Sequence, residues 1–301
     1  MLSATSTSTQ KTFSRVAIVG KYQAEGIEEH LSELANLISN LGCEIFIEAA
    51  TAKHIHLNGY PTKKVEEFIG AIDLAIVLGG DGTMLGIGRQ LAGSNVPLVG
   101  INMGRLGYMT DIPIKDVQTV LPKIIKGEYE ADARSLLDAV VIRQDKEVDQ
   151  ALALNDVVVN RSGISGMVEL SVRVNGSFMY NQRSDGLIVS TPTGSTAYAL
   201  SAGGPILHPR VAGILLAPIA PHSLSNRPIV LPQDAVICIE VVDGREVIVN
   251  FDMQSLTNLQ IGDCIWVRQS EKHITLLHPR SHSDYKTLRE KLHWNEYPST
   301  F

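Results

Sequence analysis

Three cysteines, Cys43, Cys238 and Cys264, stand far apart with no CxxC pair. That excludes a disulfide framework and a structural zinc site, and it favours a reducing compartment. No apolar run approaches the roughly 20 residues that a membrane span requires. The stretch through Thr9 is rich in Ser and Thr and lacks the apolar segment of a secretion signal. Basic blocks are missing too: 26 Lys and Arg stand against 32 Asp and Glu, a formal charge of −6. Such a chain grips neither nucleic-acid backbones nor an anionic membrane face. The nine histidines contain no HExxH; His54 and His56 read as sharing one strand face without further ligands, and His208 and His222 neighbour prolines in loops, where a structural role is expected. There is no internal repeat and no proline-rich linker. What is present, 44% hydrophobic and 19% charged residues over 301 positions, is globular and long enough for one large domain or two. A cytoplasmic protein with no nucleic-acid or membrane partner is expected.

Along the chain, residues 1–14 read as a disordered start. Val16–Val19, Glu44–Glu48, Leu74–Leu78 and Val96–Ile101 read as strands. Ile27, Leu31, Leu34, Ala35, Ile38 and Leu41 recur at helical spacing until Gly42, and a second helical stretch is expected from Thr83 to Leu91. Strands alternating with helices predict a Rossmann-like α/β domain with a parallel sheet over 15–130. From 131 to 270 short β-branched runs dominate, among them Leu136–Ile142, Val168–Val174 and Val247–Phe251, with Gly or Asn turns between most of them. They predict a β-rich, sandwich-like domain with a helical interruption around Ser195–Ser201. The remaining 271–301 is read as a segment with a helix near Tyr285–Trp294, packing back on the first domain.

Two loops carry chemistry. Gly79-Gly80-Asp81-Gly82-Thr83 joins the third strand to a helix, but it has no Lys for a Walker loop, and Leu85 stands where a dinucleotide fingerprint needs glycine. It leaves a strand-to-helix turn of side-chain-free residues whose N–H groups can meet phosphate oxygens. A carboxylate there opposes phosphate unless it accepts a hydroxyl proton, holds a metal ion or caps the helix. The second loop, Ser190-Thr191-Pro192-Thr193-Gly194-Ser195, leads into Thr196–Ser201; its hydroxyls suit a phosphate or ribose, or they cap a helix. Tyr198 can lie along a ring or simply be buried. Asn155-Asp156, read at a strand edge, is a bidentate reader of ribose or a turn.

Taken together, Gly79–Thr83, Asn102–Tyr108, Leu154–Asp156 and Asp185 through Pro205 resemble the NAD kinases, and the resemblance runs nearly the length of the chain. It implies transfer of the ATP γ-phosphoryl group to the 2′-hydroxyl of the adenosine ribose of NAD, with a divalent cation, most simply Mg²⁺, on the triphosphate. Asp81 would be the base, and Gly79, Gly80, Gly82 and Thr83 would shape the phosphate site. Asn155 and Asp156 would hold NAD, with Arg183, Asp185, Thr193, Thr196, Ala197, Tyr198, Ala199, Leu200, Ser201 and Gln254 completing the pocket. The resemblance also implies an active site between two domains and a homo-oligomer. Three positions depart from the family's pattern. Asp156 stands where many members carry Glu, Gly166 where some carry a basic residue, and Asp252-Met253-Gln254 replaces a common Asp-Gly-Gln. A lipid kinase of the diacylglycerol-kinase type shares the GGDGT loop, but there an Asn-Glu pair follows closely, where this chain has Met84-Leu85-Gly86. A non-catalytic NAD-binding sensor would be expected to lack the acid at position 81.

Overall fold

The computed structural model describes residues 12–20, 26–54, 59–104, 106–163 and 166–294. The chain divides into two compact units, residues 1–133 with 274–301, and residues 134–273.

In the first unit, β1 (Arg15–Gly20), α1 (Ile27–Asn40), β2 (Glu44–Glu48), α2 (Ala49–His54), β3 (Thr62–Lys63), β4 (Leu74–Leu78), α3 (Asp81–Gln90), β5 (Leu98–Asn102), β6 (Ile112–Pro113) and α4 (Val117–Ile125) follow in order. The strands pair in parallel as β3-β2-β1-β4-β5, with β6 added beyond β5. Every residue of β4 is buried, which is why its sequence is an unbroken apolar run rather than an alternation. α1 turns Ile27, Leu31, Leu34, Ala35 and Ile38 toward the sheet and stops before Gly42, whose φ of 79° suits glycine.

Several expectations need correction. The disordered start was expected to reach Ser14; residues 1–11 lie outside the described residues, but Phe13 is buried against Tyr129 and its N–H donates to the Ile125 carbonyl. Ser14 donates through its N–H and Oγ to Asp73. The second helix begins at Asp81, two residues before the expected start. His54 ends a helix rather than lying on a strand, and His56 lies outside the described residues, as does Arg105. Helix α4 was not expected; Pro122 inside it obscures its pattern, because proline usually ends a helix.

The second unit continues from β7 (Tyr129–Arg143) through β8 (Lys146–Ala153), β9 (Asp156–Arg161), β10 (Val168–Val174), β11 (Ser177–Ser184), β12 (Gly186–Ser190), α5 (Tyr198–Ser201), β13 (Gly213–Ile219), β14 (Ile229–Pro232), β15 (Ile237–Asp243), β16 (Val247–Phe251) and β17 (Ser255–Asn258) to β18 (Cys264–Pro279). One antiparallel sheet runs β14-β13-β12-β9-β16-β17. A second contains β11-β10-β15 and the start of β18, with the β7–β8 hairpin alongside. Val157, Val159, Leu187 and Val189 from the first sheet share one core with Leu170, Val172, Ile239 and Ile265 from the second, so the unit is a sandwich. On the other face of the first sheet, Val158, Ile188 and Leu215 pack with Ala199 of α5. β9 is therefore central and buried on both sides; Asp156 begins an inner strand, not an edge. The polar strands β8 and β11 were not expected, since neither shows a clear apolar alternation.

β7 and β18 carry the chain between the units. The end of β18 pairs in parallel with β5 at Leu276 and Leu98, and α6 (Asp284–Leu292) follows. The C-terminal segment thus belongs to the first unit.

Candidate active site

The GGDGT loop leaves the carboxyl end of β4, a central strand of the parallel sheet, where ligands bind in open α/β folds. The Gly79 N–H extends the sheet by donating to Ile101. A Cβ added at Gly80 or Gly82 would meet nothing within 4 Å. Neither packing nor a positive φ demands glycine there, which leaves the backbone open to an incoming group. Asp81 does not cap α3: the N-cap is Gly80, and no side-chain cap bond is made. Instead its carboxylate reaches the loop after β5. Oδ2 accepts the N–H of Tyr108 at 2.9 Å, and Oδ1 accepts those of Met109 at 3.0 Å and Thr110 at 3.2 Å together with the Thr110 hydroxyl. Gly107 makes room for this seat, since a Cβ there would collide with Asp81 Oδ1 and Thr110 Oγ1. Asn102 closes the loop by donating to the Thr110 carbonyl.

In the second unit, Leu154, Asn155 and Asp156 are gripped from two sides. Asp252 accepts all three of their backbone N–H groups, at 2.9, 2.7 and 3.1 Å. On the opposite side the Thr191 hydroxyl donates to the Leu154 carbonyl at 2.6 Å, and the Thr191 N–H and Ser190 Oγ donate to the Asn155 carbonyl. Gly194 lies so close that a Cβ would strike that carbonyl. The fold therefore brings together two motifs that are distant in sequence, Asn155-Asp156 and Thr191–Thr196. Thr193 is buried and accepts from the guanidinium of buried Arg134. Ser195 bonds Pro192 and Leu207, and Thr191 Oγ1 accepts from Gly194; neither Thr193 nor Ser195 caps a helix with its side chain.

Asp156 is 2% exposed, and its Oδ1 has no hydrogen-bond partner. Burial, and then the Asp252 charge, push its carboxyl up to about 7. Near neutral pH it can donate or accept.

The other expected residues are scattered around this seat. Thr196, Ala197, Tyr198, Ala199, Leu200 and Ser201 form the turn and α5, with Ala199 buried and Tyr198 packed beside it on the sheet. Gln254 follows Asp252 in the turn between β16 and β17 and is exposed. Asp185 lies at the far end of β12 from Thr191, about 20 Å by strand rise, and pairs with Arg161 at 3.2 Å. Arg183 pairs with Glu169 at 3.5 Å on the neighbouring strand. The structure does not bring these two to the Asn155 seat of the same unit.

Sequence reasoning passed over Thr110 and Lys291, and it noted Asp252 only within the Asp252-Met253-Gln254 departure, without a role. It also passed over a buried cluster of Asp111, His278 and His282. Both histidine Nδ1 atoms approach Asp111 Oδ2, at 3.0 and 2.7 Å. Burial opposes charge on His282, but Asp111 and then Asp284 raise it to about 9. Burial likewise opposes charge on Asp111, but His278 and His282 hold it at about 2. The donor set could suit a metal. However, the two rings stack at 4.0 Å with planes only 18° apart, so an ion in the plane of one would stand out of the plane of the other. The cluster fits a charged clasp between the end of β18 and the loop carrying Thr110.

A glycine loop at the end of a central parallel strand in one unit, and a clamped Asn-Asp pair in the β sandwich of the other, are the features of a nucleotide-binding enzyme built in two units. Residues 16–129 match the family model for the ATP-NAD kinase N-terminal domain, and residues 154–278 that for the ATP-NAD kinase C-terminal domain. An NAD kinase of Cupriavidus pinatubonensis is 63% identical over 95% of this chain and 94% of its own length, and one of Ralstonia nicotianae 61% over 95% of each. Among solved structures, yeast NADH kinase complexed with NADH aligns with a TM-score of 0.86 at 26% identity, covering 97% of this chain and 91% of that one. The NAD kinase from Archaeoglobus fulgidus in complex with ATP aligns with a TM-score of 0.73 at 26% identity, covering 93% and 98%. The chain belongs to the NAD kinase family, enzymes that phosphorylate NAD. The lipid-kinase and sensor alternatives fall away.

Proposed function

We propose that the chain transfers the γ-phosphoryl group of ATP to the 2′-hydroxyl of the adenosine ribose of NAD, with Asp81 as the base and Asn155 and Asp156 holding NAD. The observation that carries this reading is the Asp156 carboxyl, buried with one oxygen unpartnered on a backbone fixed by Asp252 and Thr191. Leaving such an atom unpaired is costly, and a ribose hydroxyl or carboxamide would satisfy it. At Asp81 the two oxygens differ. Oδ1 already takes three donors, so Oδ2 is the oxygen with room to accept the hydroxyl proton as the bond to phosphorus forms. Gly80 and Gly82, where a Cβ would meet open space, would meet the phosphates with backbone N–H groups, with Thr83 behind them and Gly79 anchoring the loop to the sheet. Thr193 and Thr196 to Ser201 would close the pocket, with Gln254 at its rim.

Mg²⁺ binds oxygen ligands and keeps several waters. On Oδ2 it would have to displace Lys291, and on Oδ1 it would have to displace donors already in place. The donor set fits an ion brought on the phosphate oxygens, with at most Asp81 Oδ2 from the protein. Bound there, the ion would neutralise charge on the transferring group. Asp185, at the far end of β12 from Thr191, and Arg183, on β11 of the other sheet, fit a homo-oligomer in which they serve a neighbouring copy's ligand. A cytoplasmic setting suits both substrates.

The test is ADP release measured with NAD, with diacylglycerol and with no acceptor, and the product read by phosphorus NMR. A 2′-phosphomonoester formed with NAD alone is expected. Release that is independent of NAD, or phosphate on another oxygen, would overturn the assignment.

A further inference from the structure

We propose that Lys291 of α6 is a positioning residue for the Asp81 carboxylate, reserving Oδ2 as the charged oxygen that receives the hydroxyl proton. The inference rests on the reading of Asp81 as the base. The Lys291 ammonium stands 3.3 Å from Oδ2 and 4.4 Å above the centre of the Tyr108 ring. Tyr108 thus contributes twice, with its N–H on Oδ2 and its ring face under the cation. Because Oδ1 is filled by Met109 and Thr110, the ammonium addresses the one oxygen left for chemistry.

Lys291 is not an isolated surface lysine. His282, two residues before α6, is bonded to Asp111, the residue after Thr110. Ser283 then caps the helix through the Lys286 N–H. From Asp284 to Lys291 the helix rises about 10 Å. α6 is therefore a strut with one end clasped beside Thr110 and the other delivering a cation to Asp81, so the same loop is held twice. Lys291 and the Tyr108 phenol are titratable groups that interact with Asp81. Burial, and then the Asp81 charge, push that phenol up, so it stays neutral over the working range.

A charged hydrogen-bond partner 3.3 Å from Oδ2 holds that oxygen in place for the incoming hydroxyl. In single-turnover experiments, Lys291→Met, which keeps the aliphatic stem, should lower the rate of the chemical step by roughly 10-fold. NAD binding and melting temperature should stay close to the parent, and Lys291→Arg should restore the rate. An unchanged single-turnover rate, or a loss matched by weakened NAD binding or lowered melting, would make Lys291 merely structural and overturn the proposal. Asp81→Asn measured alongside separates the two ideas. If it keeps turnover, the base assignment fails; if it loses turnover while Lys291→Met leaves the rate in place, only the proposal for Lys291 fails.

Discussion

The two units use the same device for different ends. In each, one carboxylate accepts three consecutive backbone N–H groups, those of Tyr108 to Thr110 on Asp81 and those of Leu154 to Asp156 on Asp252. In the first unit the clamped carboxylate is itself the proposed base. In the second, the clamp is separate from the group it serves: Asp252 is satisfied, while its neighbour Asp156 is left buried, partly unpartnered and raised to about 7. A base must be held still and ionised. A reader of ribose gains from being able to donate as well as accept.

The comparison is most exposed at Asp81. Asp81→Asn retains the shape of the side chain and most of its acceptor role, but not its basicity. Turnover should fall by roughly 10²–10⁴-fold while NAD binding, measured directly, changes little. Near-normal turnover would reduce Asp81 to a loop clamp like Asp252. Asp252→Asn should give the opposite pattern, weakening NAD binding by roughly 10–100-fold, since a seat N–H loses its charged acceptor, with a smaller effect on ATP. Equal losses for both substrates would mean that the second seat is not dedicated to NAD.

A third measurement reads the charge difference through stability. The Asp156 carboxyl is raised in the folded state, so below the unfolded value near 4 it costs nothing. As pH rises toward 7 the unfolded chain ionises first, and folding loses free energy. Asp156→Asn removes that loss. In urea unfolding the variant should gain on the parent by on the order of 3 kcal/mol between pH 4 and pH 8. A gap that stays constant with pH would remove the raised carboxyl from the account.

The smallest effect is expected in the turn that holds Asp252. Both Asp252 and Met253 have φ of 54°, a region that costs an L-residue about 1–2 kcal/mol. Met253 is 59% exposed. Met253→Gly should stabilise by about 0.5–1 kcal/mol after the entropic cost of glycine, visible as a small rise in melting temperature. A fall would mean that the methionine contributes packing.

The apolar runs made the architecture legible, because β4 is buried throughout and β9, β12 and β16 are built around Val157–Val159, Leu187–Val189 and Val247–Val249, which are buried on both faces. The GGDGT loop and the Thr191–Ser195 loop stood out as glycine and hydroxyl residues between a strand and a helix, although the Thr191 and Ser195 hydroxyls turn out to hold backbone in place. Polar strands such as β11 left no periodic trace. The roles of Lys291, Asp252 and Asp111 were invisible because they depend on partners far away in sequence; a lysine in an amphipathic tail helix looks the same whether it meets water or a carboxylate.

That separation also affects how the protein is made. Lys291 lies 210 residues beyond Asp81, and residues 274–301 belong to the unit begun by the first strand. At about 5–20 residues per second, roughly 10–40 s of translation pass between the two. During that time the first unit lacks its last strand and its strut. The GGDGT loop emerges early but is wired last, so a nascent or prematurely ended chain would carry Asp81 without the cation that faces it in the finished fold.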